Sequence, residues 1–470
     1  MNTTFARKLI TFGLLVLALG PSSSASAQFP GNTTVKNLSG FGEPLDAIQA
    51  AVAGGTNDDM QTFADGQLEF ISVDSIPELG PLFNSRSCGA CHFQPSVGGG
   101  GEFINEVRVR NDTRPGPVHI FATDNVLRAG PQHQGSATIF PFGLESTPIG
   151  CQITSPRCIR SACQKQEAQE TTFRVHLPIC DPASKSFARG NNCTGERQST
   201  PLYGFGLVEA VADQTFVDLA AVQPAGIRGT VKTVVELGAT RVARFGWKDD
   251  HATLRGFAGD AYLNEVGVTN PDHPTEVSNC ALGRKKFGVT LDAADDPEDA
   301  TDSDGRADID RFADFMRALA PPPALEQSAS AQAGHTLFVN IGCAGCHVES
   351  ITTAADPSSF VPATTGGVPI SATLNTMLAA QTFHPFSDFL LHDMGSLGDG
   401  ITSGVAGPRM MRTAPLWGLR AKSVLLHDGR ATNVAEAIGL HDGQGTAARS
   451  AFQALSASDQ ESVLDFLDTI

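Results

Sequence analysis

The chain has 470 residues and a formal net charge of −17, with 48 Gly and 28 Pro but only 2 Trp and 2 Tyr. An acidic surface argues against nucleic acid and anionic lipid as partners; it serves solubility and also suits docking of a basic redox protein. The scarcity of Trp and Tyr predicts a loop-rich chain whose core leans on something other than protein aromatics.

Arg7 and Lys8, the apolar run Leu9 to Leu19 and the small residues Ala25-Ser26-Ala27 read as a cleaved export signal over residues 1–27. The run is too short for the roughly 20 apolar residues of a membrane span, and no later stretch is longer. A periplasmic or secreted protein with no membrane anchor is therefore expected, in a compartment where disulfides persist. Cys88-Gly89-Ala90-Cys91-His92 follows, and the pattern returns at Cys343-Ala344-Gly345-Cys346-His347. Two thiols one turn apart can each form a thioether to a haem vinyl group, and the next imidazole then lies beneath the iron. A zinc ribbon wants its CxxC units about 15–20 residues apart, whereas these lie roughly 250 apart. Two covalently bound haem c groups are expected, with His92 and His347 as proximal ligands. Leu82-Phe83 and Leu337-Phe338 stand the same four residues ahead of their motifs, which reads as a shared context.

After the first motif, Gly98 to Gly101 can approach a cofactor closely. Cys151, Cys158, Cys163, Cys180 and Cys193 crowd into an insertion at about 150–195 and, with Cys280, suggest up to three disulfides. The acidic run Asp295 to Asp310 partly resembles a calcium loop, but it lacks the first carboxylate and has Arg311 at the last position. Solvated linker acids are the plainer reading. Ile309, Phe312, Phe315, Met316 and Leu319 recur at helical spacing until Pro321-Pro322-Pro323 stops them. Ser328 to Asn340 reads as a helix before the second motif, and Ser456 can cap a final helix carrying Val463, Leu464, Phe466 and Leu467. A helix, a haem motif and a terminal helix that packs back form the plan of a cytochrome c domain. The expected fold is mainly α, with two cytochrome c-like domains, long loop-rich insertions and minor β structure. The domains would span residues 28–322 and 323–470.

Several segments make a family resemblance specific. They are Gly80 to Asn84, Pro201 to Glu209, Arg244-Phe245-Gly246-Trp247-Lys248, Leu390 to Gly395, Arg412 to Leu419 and Leu425 to Arg430. On these the chain resembles the bacterial di-haem oxidoreductases, relatives of the di-haem cytochrome c peroxidases and rubber oxygenases, from about Phe41 to the C-terminus. The resemblance implies a peroxidase-like enzyme in which a small redox protein donates electrons to the C-terminal haem. That haem would feed a reactive N-terminal haem where peroxide or another small oxidant is reduced.

In the related peroxidases a Met follows the His of a His-Asp-Gly segment by fourteen residues and ligates the C-terminal haem. Here His427 opens that segment and the corresponding position holds His441, so His347 and His441 are the expected iron ligands. Met394 is the competing thioether, and His427 and His392 are expected near haem edges. The first haem has no comparable distal candidate, His119 and His133 being the histidines that follow, so an open sixth position is expected. Glu102 and Arg108, with Glu106 and Arg110, have the chemistry for peroxide cleavage, although their alternation equally fits one face of a strand. Trp247 is the expected relay between the irons, and Trp417 is expected against the second haem. Two readings compete: an electron-transfer cytochrome with both irons blocked, and an oxygenase that cleaves a hydrophobic substrate at an open haem.

Overall fold

In the computed structural model the described residues are 39–46, 58–74, 82–83, 87–101, 106–110, 120–122, 125–127, 136–139, 142–143, 193–274 and 301–470. Only the backbone is described for 58–60, for the strands up to residue 143, and at 193, 194 and 196. The export signal, Glu102, His119, His133, Asp295 to Ala300 and all the non-haem cysteines except the backbone of Cys193 lie outside them.

Helices carry the core: α1 (Asp58–Ile71), α2 (Phe205–Glu209), α3 (Asp213–Val222), α4 (Leu254–Ala261), α5 (Asp308–Ala318), α6 (Ala329–Asn340), α7 (Ala372–Leu378), α8 (Val434–Gly439), α9 (Thr446–Gln453) and α10 (Ala457–Leu467). Strands are short antiparallel pairs, apart from one three-stranded sheet in which Glu106–Arg110 lies between Ser136–Ile139 and Cys193–Arg197. No helix of the described residues is long and apolar enough to cross a membrane.

Two helix pairs organise the packing: α1 lies against α5, and α6 against α10. In α5, Ile309, Phe312, Phe315 and Met316 form the buried stripe. Asp310 Oδ2 accepts the Ala307 N–H at 3.0 Å to start the helix, and extended Leu319 precedes the prolines that end it. Ser328 Oγ caps α6 through Ala331 N at 3.1 Å, and Ser456 Oγ caps α10 through Asp459 N at 3.2 Å. Each such cap is worth about 1 kcal/mol. In both pairs a glycine marks the crossing. A Cβ on Gly66 would come 2.6 Å from the Arg311 carbonyl, and one on Gly334 would run into the Ser462 carbonyl. Each glycine is followed four residues later by a buried phenylalanine that reaches the motif histidine. Phe70 is edge-on to His92 at 5.9 Å, and Phe338 is tilted against His347 at 6.4 Å.

This corrects the Leu-Phe alignment. Leu82–Phe83 is a strand paired with Phe142–Gly143, whereas Leu337 and Phe338 are helical. The counterpart of Phe338 is Phe70, because equal sequence spacing does not impose equal backbone conformation. The core is also aromatic after all. Phenylalanine, with 28 copies, supplies rings that the Trp and Tyr counts overlooked. Phe63, Phe70, Phe205, Phe245, Phe312 and Phe315 are buried in one cluster, which also takes in Phe383, Phe389 and Trp417. The second cluster joins Phe338, Phe386, Phe452 and Phe466. The two helix pairs lie on either side of residue 322 in the chain, while the first core draws on residues from both sides of it.

Candidate functional site: two cysteine–histidine cavities

Each CxxCH motif begins as a single 3-10 turn, Cys88–Ala90 and Cys343–Gly345. Burial, followed by the charge of Asp74, raises the Cys88 thiol, and burial pushes the Cys343 thiol up to about 11.

The second cavity, about 350 Å³, is lined by Cys343, Cys346, His347, His392, His427 and His441. His347 Nδ1 donates to the Phe386 carbonyl at 2.9 Å, and His441 Nδ1 donates to the Ala437 carbonyl at 2.8 Å. Both rings are therefore held as the tautomer whose Nε2 is bare, the metal-binding form. Burial lowers both pKa values, that of His347 to about 4. Their ring centres are 6.4 Å apart. One metal ion bound to a nitrogen of each ring at about 2.0–2.1 Å would separate the centres by roughly 6.3 Å. The donor set and the spacing fit a haem iron held from both faces.

Two cations that line the same cavity, buried Arg412 and half-buried Lys422, fit the haem carboxylates. Arg412 has its Nη2 buried without a hydrogen-bond partner. Lys422 lies at this cavity as well, and burial and Arg412 lower its pKa to about 8. Met394 also lines the cavity. His392 is spoken for: Nε2 lies 2.9 Å from Asp388 Oδ2, and Nδ1 lies 3.6 Å from the Cys346 sulfur. These three residues form the metal-like grouping found among the described residues, and because Cys346 belongs to the CxxCH motif they mark its thiol edge. His427 is edge-on to Trp247 with ring centres 6.2 Å apart.

The first cavity is lined by Cys88, Cys91 and His92 on one wall and by Trp247, His251 and Glu265 on another. His92 Nδ1 donates to the Gly99 carbonyl at 3.1 Å, and burial pushes its pKa down to about 4. The glycine run thus orients the motif's own histidine. At Gly99 a Cβ would collide with the Gln94 carbonyl, so the close turn requires glycine there. His251 spends both nitrogens on carboxylates, Glu236 at 3.2 Å and Asp260 at 3.3 Å. It has none left for a metal.

Glu265 was not anticipated from sequence. It stands on a π-helical turn, Tyr262–Val266, that continues α4, a local geometry frequent at functional sites. Its neighbours read as an ordinary helix end, so only the turn reveals where it lies. Arg108 is central in the three-stranded sheet, opposite Thr138 and Gly195, which agrees with the strand reading of that segment; its side chain lies outside the described set.

Trp247 lines both cavities. Its indole N–H donates to the Gln198 carbonyl at 2.8 Å, and its own carbonyl accepts from Arg412 N at 3.0 Å. The residues after it are pinned by buried ion pairs, Lys248 to Asp399 at 2.8 Å and Asp250 to Lys232 at 2.6 Å. Trp417 does not lie on either wall. It packs against Phe383 at 5.9 Å within the first core, a correction to its expected place beside the second haem: a large indole near a motif in sequence served as core. In the candidate calcium loop, Asp302 and Asp304 pair with Arg311 at 2.7 and 3.2 Å.

Comparison with known proteins gives one family match. The model described as "Di-haem oxidoreductase, putative peroxidase" matches residues 160–470, about two thirds of the chain, including the second motif, Trp247 and His441. No curated protein matches the sequence. Among solved structures, a chain of Kuenenia stuttgartiensis hydrazine synthase, pressurised with 20 bar xenon, aligns at 17% identity with a TM-score of 0.23. The alignment covers 35% of this chain and 55% of that one, a likeness too slight to bear on fold or function.

Proposed function

The chain belongs to the di-haem oxidoreductase family, and on that premise we propose that it is an exported peroxidase built from two unequal haem c sites. One observation carries the reading: the second cavity pairs two imidazoles 6.4 Å apart, each with a bare Nε2, while the second imidazole on the first cavity's wall has both nitrogens occupied. Cys88 and Cys91, and Cys343 and Cys346, attach the two groups as thioethers. Bound there, the haem pair supplies electron transfer from the C-terminal to the N-terminal site and reduction of a peroxide at an open iron position. His347 and His441 would both serve as ligands to the second haem iron, and His92 would serve as the ligand to the first. Arg412 and Lys422 offset the negative charge of the second group's carboxylates. Trp247 fills the wall common to the cavities and offers an indole between them. Glu265, on the first cavity, is the acid–base group in the position proposed from sequence for Glu102 and Arg108.

A small redox protein is the electron donor, and two cytochrome c-like halves meeting near residue 322 are the architecture. As isolated, the holoprotein should show one low-spin and one high-spin haem, and it should consume hydrogen peroxide with a reduced cytochrome as donor. Two low-spin haems without turnover would instead establish an electron carrier. Oxygen uptake with an alkene, in place of peroxide turnover, would establish an oxygenase.

A further inference from the structure

Three ionisable side chains run in line from beneath a surface hairpin to the first cavity. Glu236 ends the strand Thr233–Glu236 at a hairpin tip where Val235 and Leu237 are exposed. Its Oε1 lies 3.2 Å from His251 Nδ1, and His251 Nε2 lies 3.3 Å from Asp260 Oδ2. His251 and Asp260 both face the cavity that holds Cys88, Cys91 and His92. All three are buried.

The line is built rather than incidental. Glu236 Oε2 accepts from the backbone of Ala252 and Thr253 at 3.1 and 2.7 Å, and Asp260 Oδ1 accepts from Asn264 at 2.9 Å. A Cβ on Gly256 would run into the Glu236 carboxylate, so glycine makes its room. Burying ions costs several kcal/mol each, and one carboxylate would suffice to neutralise an imidazolium. A second one, on the opposite ring nitrogen, is what proton transfer through the ring requires. Against the cost of burial, Asp260 and Glu236 raise His251 to about 10, so the ring is kept protonated. His273 also faces the cluster.

We infer that Glu236, His251 and Asp260 deliver protons from the hairpin tip into the first haem cavity, where peroxide reduction consumes them. This rests on the peroxidase reading above. Reducing hydrogen peroxide to two waters breaks the O–O bond and takes two electrons, from the reduced haem pair, and two protons. His251 passes its Nε2 proton to Asp260, which releases it to the cavity. A turn of the ring then presents the bare nitrogen to Glu236, which reloads it and is itself reprotonated from solvent.

The test uses the di-haem protein with His251→Gln and Glu236→Gln. Both variants should keep wild-type haem spectra, and oxidation of the pre-reduced protein by hydrogen peroxide should slow by about 100-fold. Added imidazole should restore the His251→Gln rate in proportion to its concentration, which a merely structural role would not produce. Wild-type rates in both variants, or a loss that imidazole does not relieve, overturn the line. If the wild-type protein is inert to peroxide, the peroxidase reading falls and the line is judged separately, by following proton uptake with a pH indicator during haem reduction. Slow uptake in His251→Gln, relieved by imidazole, supports it. Equal uptake in variant and wild type, or none in the wild type, overturns it.

Discussion

At the scale of single residues, the two sites differ through a handful of hydrogen bonds. His92, His347 and His441 each give Nδ1–H to a backbone carbonyl. That contact selects the tautomer and raises the basicity of the nitrogen left over. His251 is more deeply buried and meets carboxylates on both sides, so it is held as a cation and withheld from metal binding. None of this can be read from residue type. His441→Ala should open the second iron, converting a low-spin haem to a high-spin one in the absorption spectrum. His441→Met should keep it low-spin and raise its midpoint potential, since thioether ligation raises haem potentials. An unchanged potential in a redox titration would argue for Met394, or another donor, as the true ligand.

Elements explain why motif and helix recur together. The capping serines, the apolar stripe of α5 and the proline stop were legible because capping and the 3.6-residue period are local properties. The partner of each helix was legible only as a plan, and the crossing glycines were not recognised. A glycine inside a helix looks like a defect until the neighbouring backbone is known. Gly334→Ala should destabilise the holoprotein by about 1–3 kcal/mol, the usual cost of overpacking, because Ser462 on α10 would have to move. Gly439→Ala in α8, where an added Cβ meets nothing within 4 Å, should be neutral or slightly stabilising. Urea denaturation of the two variants side by side checks the contrast. The π turn carrying Glu265 belongs to this scale too, since one extra residue in a turn re-aims every side chain after it.

On the scale of the whole molecule, the relevant fact is that Trp247, with Gln198 and Ser199, lines both cavities. Trp247 gains that place from distant segments: Gln198 takes its N–H, Arg412 binds its carbonyl, and Asp399 anchors the adjacent Lys248. Trp247→Phe should slow electron transfer between the haems, measured by transient absorption, while both haem spectra stay as in the wild type. Transfer at the wild-type rate would remove the indole from the path.

The sequence by itself determined the two CxxCH motifs, their histidines, the helices that frame the second, and the candidate His441. Thioether chemistry and helix capping act over a few residues, and the family match extends over the second motif. Only the tertiary structure decided that His441 stands a bis-imidazole distance from His347, that Phe70 and not Phe83 is the counterpart of Phe338, and that Trp247 rather than Trp417 lines the cavities. It also decided that Glu265, His251 and Asp260 face the first one. Such juxtapositions are set by the packing of segments tens to hundreds of residues apart, and local pattern carries no record of which buried neighbour a side chain will meet.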